Sequence, residues 1–128
     1  MIVIDASVLI AHFDARDAQH KRAAHTLSTV GGEVLGASTI TLAEVLVGPA
    51  RAGRLDDARV ALRDLGVDDL DLPADAATQL ATLRAQTNLR LPDCCVLLSA
   101  QLEHASLLTF DKRLGKRAKQ IGVNVLES

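Results

Sequence analysis

The chain opens on MIVIDASVLI, where four apolar residues, Met1 to Ile4, run straight into Asp5, and apolar character resumes at Val8, Leu9 and Ile10. So short an apolar run reads as a buried strand, and the residues after it have helical spacing, so a carboxylate stands where a buried strand gives way to a helix. In open α/β sheets, ligands collect in the crevice at the carboxyl ends of parallel strands, and an acid there is a candidate for metal or catalytic work. The rest of the chain decides whether Asp5 has partners.

A length of 128 residues with 48% hydrophobic content suits one core, so a single domain over residues 1–128 is expected. The formal net charge of -2 excludes the overall basic footprint of a groove-binding domain, and 2% aromatic residues, with no Trp or Tyr, leave little to build a base-stacking platform. A nucleic-acid partner would need a local basic patch or a bound cation. Cys94 and Cys95 are neighbours within an apolar run, poorly placed for a relaxed disulfide, and read as buried thiols in a reducing compartment. The opening apolar run has neither a basic start nor a cleavage site, and no run approaches the roughly 20 residues of a membrane span. A cytoplasmic protein with no membrane partner is therefore expected.

Helical spacing covers residues 7–13, a break follows at 14–17, and a second helix over about 18–30 is stopped by Gly31 and Gly32. Residues 33–37 suit a second strand, with Ser38 or Thr39 capping a helix over about 40–50 whose last turn Gly48 and Pro49 weaken or kink. An amphipathic helix at 55–65 closes on Gly66. Residues 67–72 alternate apolar and acidic, as a strand with one wet face near a sheet edge would. Helices over about 74–86 and 92–104 follow, each opened by a Pro; then come a buried strand at 106–110, a basic helix at 111–121 and a last short strand at 123–126. Strands alternating with helices predict an α/β three-layer sandwich around a mostly parallel sheet.

Asp111 repeats the situation of Asp5, because the apolar run LLTF delivers it just as a helix begins. Each Asp can equally be a simple helix cap. Glu44 lies in TLAEVLVG on the helical face of Thr41 and Gly48, whose small side chains would let it reach inward; the alternative is the solvated face of an amphipathic helix. Asp93 follows Pro92 in a first helical turn, where the helix dipole alone would favour an acid. If Asp5, Glu44, Asp93 and Asp111 converge, each pair at about 5 Å repels by roughly 3 kcal/mol at an effective dielectric near 20. An all-carboxylate site of that kind suits Mg²⁺ or Mn²⁺ rather than Zn²⁺, and His12, His20, His25 and His104 show no zinc-ligand spacing.

The segments MIVIDASVLI, TLAEVLVGPAR, LRLPDCCVLLSA and LLTFDKRL, in this order over nearly the whole chain, resemble a PIN domain, and specifically the VapC toxins of toxin-antitoxin pairs. The resemblance implies a PIN-like fold with a central parallel sheet of 4–5 strands flanked by helices, and Mg²⁺- or Mn²⁺-dependent endoribonuclease activity on an RNA substrate (tRNA, rRNA or mRNA). It also implies a homodimer bound by a cognate VapB-like antitoxin. Carried over residue by residue, Asp5, Glu44, Asp93 and Asp111 match the family's catalytic and metal-binding acids, and Ser7 and Thr109 match supporting hydroxyl positions. Many relatives carry a further Asn or Asp around the last motif, whereas Phe110 stands here between Thr109 and Asp111.

Lys112, Arg113 and Lys116 crowd the helix after Asp111 and can hold an RNA backbone, or form an ordinary solvated basic face. Two other readings remain. An Asp-nucleophile phosphatase would want a second acid two residues after Asp5, where Ser7 stands, and a binding module would keep the acids but grip RNA or a partner without turnover. Leu9, Val45 and Leu46 offer apolar helical surface for a dimer or an antitoxin, or else belong to the core.

Overall fold

The computed structural model describes residues 1–126. Strands β1 (Ile2–Ile4), β2 (Leu35–Ser38), β3 (Val67–Leu70) and β4 (Ser106–Leu108) form one parallel sheet in the order β3-β2-β1-β4. Helices α1 (Ala6–Phe13) and α2 (His20–Thr29) join β1 to β2, α3 (Thr39–Arg51) and α4 (Leu55–Leu65) join β2 to β3, and α5 (Ala76–Thr87) and α6 (Leu91–Leu102) join β3 to β4. Helix α7 (Lys112–Gln120) follows β4. The chain steps outward from β1 to β3 and then returns to lay β4 on the other side of β1. The strand order therefore reverses between β1 and β4, and at such a switch point the connections part to leave a crevice at the strand ends.

Alternation along the strands makes two apolar layers. Val3 and Leu107 join Leu83, Leu89, Leu97 and Leu114 on one side, while Ile2, Ile4 and Leu108 join Val8, Leu9, Leu27 and Leu62 on the other. Helix α6 is buried on every side from Cys94 to Ala100, because it lies against β1 and β2 and is itself covered by α3 and α5. Both cysteines are free and buried there. Among the described residues no helix is long and apolar enough to cross a membrane.

Several boundaries differ from those the sequence predicts, for local reasons. Side-chain turns hold the segment before α2, with the Asp14 and Asp17 carboxylates accepting from the amides of Arg16 and Gln19, so α2 starts at His20. Strand β2 is shifted towards Ser38, which ends the strand and also caps α3 by accepting from the Ile40 amide. Helix α3 runs through Gly48 and Pro49 to Arg51, one residue past the expected end. The strand expected at residues 123–126 shrinks to a single bridge between Val125 and Leu107. Leu9 is fully buried and so belongs to the core; the exposed apolar side chains nearby are Ile10, Phe13 and Val47.

Candidate active site

Asp5 sits at the switch point, one residue past β1, and its amide donates to the Leu108 carbonyl of β4 at 3.2 Å. Its backbone occupies the N-cap of α1, yet its side chain makes no capping hydrogen bond. Both carboxylate oxygens are held by hydroxyls: Ser7 Oγ donates to Oδ1 at 2.6 Å and Thr109 Oγ1 to Oδ2 at 2.8 Å. The same two hydroxyls accept from the next stretch of backbone, Ser7 Oγ from the Phe110 amide at 3.1 Å and Thr109 Oγ1 from the Asp111 amide at 3.0 Å. This network ties the end of β1 to the turn after β4 and fixes the Asp5 carboxylate in orientation. Asp5 keeps the N-cap position of α1, but the two hydroxyls, not the helix amides, make the hydrogen bonds that orient its carboxylate.

Asp111 shows the opposite outcome. It caps α7 with Oδ1, accepting from the amides of Arg113 at 2.9 Å and Leu114 at 3.1 Å. The cap places Asp111 on the same turn as Thr109, so capping and closeness to Asp5 go together.

Burial raises the Asp5 pKa from 3.8 to about 6; the Ser7 and Thr109 hydroxyls and the Val8 amide pull it down, and the charge of Asp111 adds a further upward push. Asp93, half-buried in the first turn of α6, is also raised by burial; the Arg90 and Arg113 charges oppose that shift and Asp111 reinforces it. Glu44, on the exposed side of α3, is raised by burial and by Asp93, against Arg90. The four acids are thus neighbours in sequence of influence: Asp5 feels Asp111, Asp111 acts on Asp93, and Asp93 acts on Glu44. They line one region without closing on one point, since among the described residues no three His, Cys, Asp or Glu side chains group tightly enough to hold an ion. None of the ion pairs among the described residues involves any of the four.

The basic residues divide. Arg113 turns towards the acids, donating to the Asn88 carbonyl at 3.2 Å and lying beside Asp93. Lys112 and Lys116 instead line a groove of about 470 Å³ that begins at Thr109 and Asp111 and runs along α7. A second groove, about 570 Å³, passes Glu44 between α1, α3 and α4, with Ile10, Phe13, Val45 and Leu62 in its walls. Arg90 was missed from the sequence. The only signal for it is its place three residues before Asp93 in LRLPD.

The PIN domain family model matches residues 2–120. No curated protein sequence matches the chain. Among solved structures, a toxin-antitoxin complex from Klebsiella pneumoniae is similar with a TM-score of 0.80 and 27% identity, over 99% of this chain and 97% of that one. VapC20 of Mycobacterium tuberculosis, a Sarcin-Ricin loop cleaving toxin, gives 0.79 and 18% over the whole of both chains. FitAcB from Neisseria gonorrhoeae gives 0.75 and 20% over 99% and 97%.

Proposed function

The chain belongs to the PIN domain family, and we propose that it is a metal-dependent endoribonuclease, the toxin of a toxin-antitoxin pair. The observation that carries this reading is Asp5: a carboxylate 5% exposed at the sheet's switch point, held by two hydroxyls and neighboured by further acids instead of by a base. The donor set is all oxygen, with both cysteines buried in α6, and it fits a hard divalent cation, Mg²⁺ or Mn²⁺. Asp5, Glu44, Asp93 and Asp111 would hold it, its charge offsetting the mutual repulsion under which no three of them stand as a ready-made ion site. Such an ion supplies Lewis acidity for in-line attack of water on a phosphodiester.

The protein's own groups prepare that step. Ser7 and Thr109 keep both oxygens of Asp5 oriented and favour its ionised form against the cost of burial. Arg90 offsets the charge of Glu44 and Asp93, and Arg113 that of Asp93, so the acids can stand near each other. Lys112 and Lys116, which line the groove along α7, would hold the RNA backbone beside them. No side-chain nucleophile is needed.

The antitoxin reading is supported by relatives solved as toxin-antitoxin complexes and by the apolar groove between α1, α3 and α4, which suits the apolar face of a partner helix. A homodimer is proposed as the active unit. The purified chain is expected to cut structured RNA with Mg²⁺ or Mn²⁺ and to stop in EDTA; equal cleavage in both conditions would overturn the metal mechanism.

A further inference from the structure

Asp93 and Asp111 belong to different segments of the chain, and a turn that holds neither of them joins the two. Helix α5 ends on Asn88, a C-cap with left-handed backbone (φ 57°), and residues 88–90 then lead into α6. The turn is anchored on its inner side by Leu89, which is buried in the apolar layer and whose amide donates to Thr87 Oγ1 at 3.2 Å. Two guanidinium groups from different helices fasten it further, on successive carbonyls. Arg84 of α5 donates to the Leu89 carbonyl at 2.7 Å, and Arg113 of α7 donates to the Asn88 carbonyl at 3.2 Å. Asp93 lies in the first turn of α6, so whatever fixes this turn also fixes the direction from which Asp93 approaches the site.

Arg113 is bound to the Asp111 turn at its other end, since its own amide donates to Asp111 Oδ1 at 2.9 Å. One residue thus spans from the cap made by one acid to the turn ahead of another. Helix α7 docks through Leu114 and Ala118, which are buried in the same apolar layer, but apolar burial is non-directional and sets no register. A charged donor on a carbonyl does set one. Lys112 and Lys116 line the groove along α7, whereas Arg113 is not in its walls. No ion pair joins its guanidinium to Asp93 either, although its charge opposes the upward pKa shift of that acid. An arginine paired with Asp93 would cover the oxygens that a cation needs; anchored on a main-chain carbonyl, it stands beside the acid and leaves them open. We infer that Arg113 is a positioning residue: it straps the Asp111 turn to the turn ahead of α6, so that Asp111 and Asp93 keep one spacing while its guanidinium covers neither carboxylate. The inference rests on the cation site proposed above for what that spacing serves, and it separates Arg113 from the RNA-holding lysines with which the sequence groups it.

The test uses the full chain with Arg113→Gln, which removes the charge and shortens the reach, and Arg113→Lys, which keeps the charge and a donor. Hydrogen exchange in EDTA, followed over residues 88–94, reports the strap with neither metal nor RNA present. Arg113→Gln is expected to speed exchange there, and Arg113→Lys to recover most of the protection. Calorimetric titration should find Mn²⁺ bound about tenfold more weakly by Arg113→Gln, and steady-state cleavage of RNA at saturating Mn²⁺ should show kcat about tenfold lower at unchanged KM, with Arg113→Lys between it and wild type. Lys116→Gln, from the groove along α7, is expected to raise KM instead. Wild-type exchange in Arg113→Gln would overturn the inference, and so would faster exchange with wild-type Mn²⁺ affinity and kcat. A raised KM at unchanged kcat would also overturn it, by returning Arg113 to the RNA backbone, and equal losses in Arg113→Gln and Arg113→Lys would contradict a strap made of charge and hydrogen bond. If wild type neither binds Mn²⁺ nor cleaves RNA, the cation reading falls by itself, and the exchange comparison in EDTA still decides whether Arg113 ties the two turns.

Discussion

A single carboxylate sets the terms at the residue scale. Asp5 ionises near pH 3.8 in the unfolded chain and near 6 in the folded one, so the folded state holds its proton more tightly. Its stabilising contribution is fully present below about pH 4 and is lost as the pH rises through about 6, a difference of roughly 3 kcal/mol. Asp5→Asn removes that charge at the expense of one acceptor, because an amide nitrogen cannot accept from a hydroxyl, at about 1 kcal/mol. Denaturant unfolding in EDTA at neutral pH should therefore find Asp5→Asn about 1–2 kcal/mol more stable than wild type, with the gap closing below pH 4; a variant less stable at neutral pH would mean that the ionised Asp5 is a net structural asset. Thr109→Val deletes the donor to Oδ2 and leaves the Asp111 amide without its acceptor. It should destabilise by about 1–3 kcal/mol and move the pH midpoint of the wild-type stability loss upward. The importance of Asp5 was legible because an acid interrupts an apolar run. The hydroxyl that crosses to it from residue 109 was not visible from spacing, since 104 positions separate the partners, and only the family resemblance pointed to Thr109.

Elements were legible where the pattern was local and failed where a side chain or neighbour set the boundary. The two apolar faces of the strands, the Gly66 stop of α4 and the basic character of α7 all follow from periodicity and composition. Asx turns at Asp14 and Asp17, by contrast, delay α2, and pairing with Leu107 alone limits the last expected strand to Val125. Strand β2 contains a constraint that its apolar character hid. A Cβ on Gly36 would lie 2.8 Å from Leu70 Cδ1 and 3.1 Å from Leu70 Cγ, so the neighbouring strand's side chain occupies the space above this glycine. Gly36→Val is expected to lower stability by about 1–3 kcal/mol through overpacking, read as a fall in the denaturant midpoint with no change in slope. An unchanged midpoint would show that Leu70 swings aside without penalty.

On the scale of the whole molecule, topology and charge explain why the site lies where it does. The alternation of strands and helices predicted the parallel sandwich, but the order β3-β2-β1-β4 depends on pairings between distant segments and was not readable from any one of them. That order puts β4 beside β1, and so brings the turn at Thr109 and Asp111 to Asp5 at the switch point. Helices α3 and α6 then bring Glu44 and Asp93 within reach of one another's charge, and Arg90 and Arg113 partly offset it. Sequence reasoning named all four acids and their mutual repulsion but left their convergence open, and it missed Arg90, whose charge opposes the upward shifts of Glu44 and Asp93. The central claim is that these four carboxylates form one cation site, and calorimetric titration of Mn²⁺ tests it most directly. Saturable binding to wild type, weakened by about tenfold or more in each of Asp5→Asn, Glu44→Gln, Asp93→Asn and Asp111→Asn, is the predicted result. The absence of saturable binding to wild type, or four variants that bind as it does, would contradict the account.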